Sequence, residues 1–201
     1  MLGLGLSLFK GVVKALTYVK DNLLVFFNFK STDRSLFLAG STTFDGTNDY
    51  ISVADSSDWD TGGAITIGFW FKTDVEESNN ILFQHDASAS KYSINIESSS
   101  DRLSWNVATA SNTTSINDGA SMNYENGEWH YCTCTYDRTL GSARLKIYID
   151  GVLKGSGNGY DEDITAGDEG ITIGSKSTGN YFNGKMANVG LWSRALSVAE
   201  I

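Results

Sequence analysis

The side chains that most often carry out catalysis are scarce in this sequence. It has two histidines, His85 and His130, and two cysteines, Cys132 and Cys134. It has no Gly-x-Ser-x-Gly segment of the kind that presents a catalytic serine. The cysteines lie two positions apart in one apparent strand and so share a face, and we interpret them as small buried hydrophobic residues. A metal site that includes His130 is the alternative, although no fourth ligand has a suggestive spacing.

Oxygen-bearing side chains offer a second kind of chemistry. Asp45, Asn48 and Asp49 lie within five positions of one another, and carboxylate and amide oxygens are the ligands that Ca²⁺ prefers. Calcium is therefore the one cofactor that the sequence suggests. Turn formation by the same three residues is the alternative. The acidic stretch over residues 161–169 is interrupted by Gly167, and we interpret it as a solvated loop.

Aromatic side chains in loops are the candidates for sugar binding. Such a site needs an exposed aromatic ring beside a few polar groups. Trp105 alternates with Leu103 and Val107, which predicts that it lies in the core instead. The candidate glycan-binding residues are Trp59, Tyr160 and Tyr181, with Asn123, Asn158 and Asn180 as polar neighbours.

The elements that must position these residues are almost all strands. Residues 91–97, 103–107 and 145–149 each alternate apolar and polar side chains, which predicts one face on a core and one towards water. Asp150-Gly151 joins two such segments and is a strong hairpin signal. About a dozen short strands with almost no helix predict an all-β protein of two antiparallel sheets packed face to face.

Composition and charge exclude several classes of function. The chain has 201 residues with a formal net charge of −9 and a pI near 4.6, so a protein that binds nucleic-acid phosphates is not expected. No apolar run reaches the roughly 18 residues that a membrane-spanning helix needs. There are 21 glycines and no proline, which favours many tight turns in a globular domain.

Residues 1–20 differ from the rest of the chain. They contain three lysines and no acid and so carry +3, which leaves −12 for the remainder. The apolar spacing predicts an amphipathic helix over residues 7–20. This segment could pack on its own domain, dock on a partner or a neighbouring subunit of a homo-oligomer, or lie on a membrane surface; we favour protein docking. The predicted docking residues are Leu4, Leu8, Phe9, Val12, Leu16 and Val19.

Four parts of the chain, taken in order, resemble the laminin G-like domains of the concanavalin A-like lectins and glucanases. The matching segments are 44–53 (FDGTNDYISV), 65–72 (ITIGFWFK), 128–137 (EWHYCTCTYD) with 147–151 (IYIDG), and 181–186 (YFNGKM) with 191–197 (LWSRALS). The resemblance covers roughly residues 23–201 and implies a jelly-roll sandwich. Trp70 and Trp129 within it are interpreted as rings that fill the space between the sheets.

The resemblance also bears on catalysis and calcium. Glucanases of the laminarinase branch carry Glu-x-Asp-x-x-Glu on one strand, and this spacing is missing here. Several relatives hold calcium at the rim, where the closing strand often reads Ile-Asp-Asp-Val. Here residues 186–189 read MANV, which argues against a calcium ion of that type.

The sequence thus predicts two parts, an anchoring segment at 1–20 and a sandwich domain at 21–201. The Ser197-x-x-Glu200 capping box begins a helix that the sequence cuts short, so we expect a fragment of a longer chain. The leading hypothesis is a non-catalytic lectin-like domain on a larger assembly. Resemblance to tailed-phage virion proteins implies a decoration, fibre or tail protein on a virion surface or outside the cell. The alternatives are a divergent glycan-cleaving hydrolase and a purely structural domain.

Overall fold

The structure is a computed structural model that describes residues 21–27, 40–75, 80–86, 89–97, 100, 102–119, 123–176 and 179–201. These ranges contain thirteen strands and a 3-10 helix at Ser57–Trp59. The strands are β1 (Leu23–Phe27), β2 (Thr42–Asp45), β3 (Ile51–Val53), β4 (Ala64–Lys72), β5 (Asn80–His85), β6 (Tyr92–Ile96), β7 (Leu103–Ala108), β8 (Thr113–Asn117), β9 (His130–Asp137), β10 (Leu145–Ile149), β11 (Val152–Gly157), β12 (Ile171–Ile173) and β13 (Asn183–Trp192).

The strands form two antiparallel sheets. The seven-stranded sheet has the order β1-β13-β4-β9-β10-β11, and β2 also pairs with β13. The six-stranded sheet has the order β3-β12-β5-β6-β7-β8. Five of the strand pairings join strands that are consecutive in the chain, and the other six join strands that are distant in sequence, among them β13 with β1, β2 and β4. The predicted all-β sandwich of two antiparallel sheets is confirmed.

The core lies between the sheets and follows from the period-two alternation of apolar residues. In β4, Ile65, Ile67, Phe69 and Phe71 are each 0% exposed. Burying a side chain of this size stabilises the fold by about 1.5–3 kcal/mol. Trp105 lies in the core as predicted, and its indole N–H donates to the carbonyl of Thr135 across the sandwich at 3.1 Å.

Two further local predictions are confirmed. Asp150 and Gly151 form the turn between β10 and β11, both with positive φ, at 52° and 75°. This is the geometry that Asp-Gly favours in tight hairpins. Cys132 and Cys134 are free and buried, with their sulfur atoms 3.8 Å apart. Burial raises the pKa of the Cys134 thiol well above its usual range.

Residues 1–20, which the sequence predicts to be an anchoring segment, lie outside the described residues. This applies to the helix predicted over 7–20 and to its docking residues. Within the described ranges, no helix has the length and apolar character that crossing a membrane requires. At the other end, the Ser197 hydroxyl donates to the Glu200 carboxylate at 2.8 Å, and the Arg194 guanidinium contacts that carboxylate twice, at 2.7 and 2.9 Å.

Candidate functional site

A row of polar side chains crosses the outer face of the six-stranded sheet. The strands are in register so that one polar residue from each strand lies beside the next. We call this row the polar ladder; in spatial order it consists of Ser52, Thr172, Gln84, Ser93, Asn106 and Ser115. Its members lie opposite one another in the ladder and alternate with core residues such as Phe83, Ile94 and Trp105, so the polar ladder faces away from the core.

A cavity of about 460 Å³ opens over the β6–β8 part of the polar ladder. Ser93 and Asn106 belong to both the polar ladder and the cavity lining. The eight lining residues offer hydroxyls, one amide and one ammonium group, and none of them is acidic; they are Ala89, Ser90, Lys91, Ser93, Asn106, Ala108, Thr113 and Thr165. The volume falls within the range of about 300–1,000 Å³ that is usual for small-molecule sites.

Asn106 is held at the cavity floor by its neighbours. Its amide nitrogen donates to the Asn95 side-chain oxygen at 2.9 Å and lies 3.3 Å from the Ser93 hydroxyl. Its amide oxygen accepts from the Ser115 hydroxyl at 2.5 Å. These contacts fix the orientation of the amide, so it presents a preorganised polar group to a ligand.

Lys91 supplies the positive charge of the cavity, and a buried carboxylate faces it. The Lys91 ammonium lies 3.4 Å from Asp86 Oδ2, and the two side chains are 17% and 0% exposed. Asp86 has a positive φ of 59°, and its Oδ1 accepts from the amide of Ala89 at 3.1 Å. The carboxylate therefore holds Lys91 and the backbone of Ala89, two residues that line the cavity.

His85 lies beside this ion pair and is buried completely. Neither of its ring nitrogens has a hydrogen-bond partner among the described residues. Its ring packs against Tyr92, with centroids 4.7 Å apart. Burial lowers the pKa of His85, although Asp60 and Asp86 act in the opposite direction. The imidazole is thus neutral at pH 7 and adds no positive charge to the cavity.

The outer face of the seven-stranded sheet has a different character. We call Trp70, Tyr131, Tyr148 and Trp192 the aromatic face; each alternates along its strand with core residues and so points outward. Tyr148 and Trp192 are each only 4% exposed. The expectation that residues 145–149 keep one face towards water is therefore wrong for Tyr148. Trp70 is likewise outside the core that it was predicted to fill, and Trp129 is half-buried just before β9.

The candidate calcium residues form a turn at the rim where β4 ends. Asp45 Oδ1 accepts from the amides of Thr47 and Asn48 at 2.8 and 3.1 Å, and the Asp49 carboxylate accepts from the Asp45 amide. Hydrogen bonds from the backbone amides, chiefly that from Thr47, lower the pKa of Asp45. The described parts of the chain contain no group of three or more His, Cys, Asp or Glu residues that could hold a metal ion. The observed hydrogen bonds show that Asp45, Asn48 and Asp49 form a turn, and calcium binding there stays a prediction.

Two of the candidate sugar-binding residues lie at this same rim. Asn180 is exposed, and Tyr181 pairs with Tyr50, with ring centroids 6.4 Å apart. Tyr50, which is 47% exposed, was not among the sugar-binding residues predicted from the sequence. Asn123 is exposed next to Tyr124, whose ring contacts His130 at the start of β9. Asn180 and Tyr181 thus lie at the rim where β4 ends, as does Asn123 through its neighbour Tyr124, whose ring also contacts Phe71.

The remaining candidates lie at the opposite rim, where β4 begins. Trp59 is 8% exposed, and its indole N–H donates to the Ala54 carbonyl at 2.9 Å. It belongs to the core, so it does not offer the exposed ring that was expected. Asn158 is exposed but its side-chain oxygen accepts from the Ala143 amide at 2.9 Å. Tyr160 is 40% exposed, and its carbonyl accepts from the Tyr136 hydroxyl.

The cavity residues were missed because their signal is spread over several strands. The polar half of each alternation, such as Lys91 and Ser93 in one segment and Asn106 in the next, was visible in the sequence. Placing these residues side by side requires the register between strands, which alternation within one strand does not specify.

Comparison with known proteins identifies the family. A laminin G-type family model, described as the concanavalin A-like lectin/glucanases superfamily, matches residues 45–201. The chain belongs to this family, as the resemblance of its motifs implied. A comparison with curated protein sequences gave no significant match.

Several solved structures share the fold. The binding domain of botulinum neurotoxin serotype G is 18% identical with a TM-score of 0.64, over 88% of this chain and 44% of that one. Domains LG4-5 of the mouse laminin alpha1 chain are 16% identical with a TM-score of 0.56, over 78% and 44%. Domain 4 of AbnA, an extracellular arabinanase from Geobacillus stearothermophilus solved with arabinotriose, is 16% identical with a TM-score of 0.58, over 89% and 96%. This chain spans less than half of the first two structures, and at these identities the likeness concerns the fold alone.

Proposed function

We propose that this chain is a non-catalytic, lectin-like domain that binds carbohydrate in the cavity over the polar ladder. The observation that carries the proposal is the cavity of about 460 Å³, which is lined by hydroxyl groups, one amide, one lysine and two alanines. Sugars present many hydroxyl groups, which need donors and acceptors at fixed positions. The Ser90 hydroxyl is buried and has no partner among the described residues, so a ligand or water can satisfy it.

Two structures of similar fold support a ligand of this class. The AbnA domain was solved in complex with arabinotriose, and cell entry of botulinum neurotoxin type C depends on interaction with two ganglioside molecules. The second is 16% identical to this chain with a TM-score of 0.58. Both ligands contain sugars, so the fold is compatible with sugar recognition. Arabinotriose is uncharged and a ganglioside carries sialic acid, so the charge of the sugar is decided by the individual site and not by the fold.

The chemistry of the cavity favours binding over hydrolysis. A glycosidase uses two carboxyl groups about 5–10 Å apart on either side of the scissile bond. None of the eight residues that line the cavity is acidic. The alternative, a divergent glycan-cleaving hydrolase, predicts turnover of a glucan or arabinan panel that is lost when a single carboxylate is substituted.

The test compares the full chain with three single variants. Glycan-array screening followed by calorimetry measures the affinity for the strongest hit. Asn106→Ala removes the fixed amide, so the Ser93 and Ser115 hydroxyls that contact it lose a partner. Sugar binding is expected to weaken about tenfold or more. Asn126→Ala makes the same chemical change at an exposed position that is neither in the cavity lining nor a candidate sugar-binding residue, and should leave affinity unchanged.

The third variant, Tyr181→Ala, examines the tyrosine pair at the rim. Sugar binding there, with Asn180 beside it, predicts loss of affinity in Tyr181→Ala and none in Asn106→Ala. That outcome moves the site to the rim, whereas an array with no bound glycan contradicts carbohydrate binding altogether.

We also propose that residues 1–20 attach the domain to a larger assembly, such as a phage virion, or to further copies of itself outside the cell. The support is the sequence pattern, an apolar stripe and a charge of +3 ahead of an acidic domain. Deleting residues 1–20 is expected to abolish co-sedimentation with the assembly while sugar affinity stays the same. Retained co-sedimentation of the truncated chain contradicts this attachment.

A further inference from the structure

We infer that the cavity selects uncharged sugars over acidic ones such as sialylated or uronic-acid glycans. This rests on the proposed function and names the ligand class of the same site. The juxtaposition that carries it is Lys91 at the cavity wall against the buried Asp86 carboxylate.

The positive charge of the cavity is already neutralised within the protein. Lys91 contributes the single formal charge among the lining residues, and its ammonium lies 3.4 Å from Asp86 Oδ2. Asp86 is 0% exposed, so bulk water screens this pair much less than a surface pair. An incoming carboxylate therefore meets a lysine whose charge is balanced, and it has to compete with a carboxylate that is held in place.

The groups around the ion pair add negative rather than positive potential. The amide of Asp168 lies 3.5 Å from Asp86 Oδ2, which brings the loop that carries Asp168 and Glu169 to this end of the sheet. The Asp60 carboxylate accepts from the Gly167 amide in the same loop at 2.8 Å. Burial lowers the pKa of His85, which precedes Asp86 in the chain, so this imidazole adds no positive charge. With a net charge of −9 on the chain, long-range attraction of an anionic glycan is also unfavourable.

An uncharged sugar brings no carboxylate that would have to compete with Asp86 for Lys91. Its hydroxyls can donate to or accept from the Ser93 and Thr113 hydroxyls and can accept from the Lys91 ammonium, which has three donor hydrogens. The ion pair then acts as a fixed polar group that needs no change of charge on binding. Selection arises from the penalty on the acidic competitor rather than from a stronger contact with the neutral ligand.

The experiment uses the best uncharged oligosaccharide from the array and its counterpart with one carboxylate. The full chain is expected to bind the uncharged probe at least about tenfold more tightly, because the acidic probe places a second negative charge close to the buried Asp86 carboxylate. Affinity for the uncharged probe should change less than about twofold between 50 and 500 mM NaCl. Tighter binding of the carboxylate probe, or affinity that falls steeply with salt, overturns the inference.

Asp86→Asn sharpens the test because it leaves Lys91 as an unbalanced cation. Asn is among the residues that best tolerate a positive φ, and its side-chain oxygen can still accept from the Ala89 amide. The preference for the uncharged probe is expected to shrink by about threefold or more, with new salt dependence for the acidic probe. An unchanged preference in the folded variant contradicts the role of Asp86.

The double variant Asp86→Asn/Lys91→Met removes both charges and serves as the matched control. It should keep the preference of the unaltered chain, since the cavity is neutral again, although it loses the donors of Lys91. Circular dichroism and thermal melting establish whether each variant folds. Should Asp86→Asn fail to fold, the salt dependence of the unaltered chain and the preference of the double variant still decide the question. A chain that binds no glycan contradicts the proposed function, whereas one that binds acidic glycans contradicts only the selection.

Discussion

The outer faces of the two sheets differ in composition. On the seven-stranded sheet the aromatic face surrounds Gly68 and Gly190, and Trp192 and Tyr148 are each 4% exposed. On the six-stranded sheet the polar ladder occupies the equivalent outward positions; Thr172, Gln84 and Ser93 are buried, and Ser52 and Ser115 are exposed at its two ends. One outer face is therefore aromatic, and the other is polar.

This difference implies that the outer face of one sheet contributes mainly to stability and that of the other mainly to binding. Aromatic rings on the outer face add apolar burial to that of the core, so this sheet forms the frame of the domain. The other sheet gives up that second contribution and instead fixes hydroxyl and amide groups on rigid strands, which is how a binding site is preorganised. We therefore expect substitutions on the aromatic face to change unfolding, and substitutions on the polar ladder to change sugar affinity.

The largest expected effect is on the aromatic face. Trp192→Ala should lower the free energy of unfolding by about 3–5 kcal/mol, because a large buried ring is lost and a cavity remains. Guanidinium denaturation measures it. Ser52→Ala, at the exposed end of the polar ladder, should change the free energy of unfolding by less than about 0.5 kcal/mol. Equal losses from the two variants contradict the division between the faces.

Gly190→Ala addresses the close packing of the same face. A Cβ on residue 190 would lie 2.6 Å from a ring carbon of Trp192, so the ring has to move, at an expected cost of about 1–3 kcal/mol in unfolding free energy. Gly141→Ala is the matched control, because a Cβ there meets nothing within 4 Å. If both variants melt at the temperature of the unaltered chain, Trp192 is not packed as described.

His85 predicts how the sheet with the polar ladder responds to acid. Burial lowers the pKa of His85 in the folded chain, so the unfolded chain binds a proton first as the pH falls below about 6.5. Stability is then lost on acidification, with a slope of at most about 1.4 kcal/mol per pH unit from this residue. His85→Gln should remove that part of the slope between pH 7 and 5, and His130→Gln should retain it. A slope that His85→Gln leaves intact argues that other groups cause the acid sensitivity.

The smallest expected effect concerns one hydroxyl at the cavity. Thr113→Val keeps the shape of the side chain but removes a possible partner for a sugar hydroxyl, and should weaken binding by about threefold to tenfold. Thr43→Val makes the same change on an exposed position of the other sheet and should leave affinity unchanged. Calorimetry with the best uncharged probe distinguishes the two, and identical affinities would remove Thr113 from the site.

The sequence predicts the sandwich well because alternation is a local property. The alternation within β4 alone shows that one face of the strand is shared by Ile65, Ile67, Phe69 and Phe71. The same rule failed for Tyr148, since alternation shows which residues share a side but not whether that side meets water. Burial of an outward residue depends on what packs over the sheet, which is not a property of its own strand.

The candidate site was less predictable for a related reason. Trp59 was predicted to be an exposed loop residue. It ends the 3-10 helix instead, and its ring lies inward, where the indole N–H donates to the Ala54 carbonyl five residues earlier. Lys91 and Asp86 are only five residues apart, yet their pairing depends on the positive φ of Asp86 and on the turn between β5 and β6. Such contacts require tertiary structure, and the residue types by themselves do not indicate them.

The buried thiols have a practical consequence for spectroscopy. Cys132 and Cys134 are the two cysteines of the chain, and both are 0% exposed between the sheets. Maleimide dyes and nitroxide spin labels, which attack accessible thiolates, therefore have no ready target in the folded protein. A cysteine introduced at the exposed Ala89 becomes a selective attachment point, and a reporter at the mouth of the cavity then follows ligand entry directly.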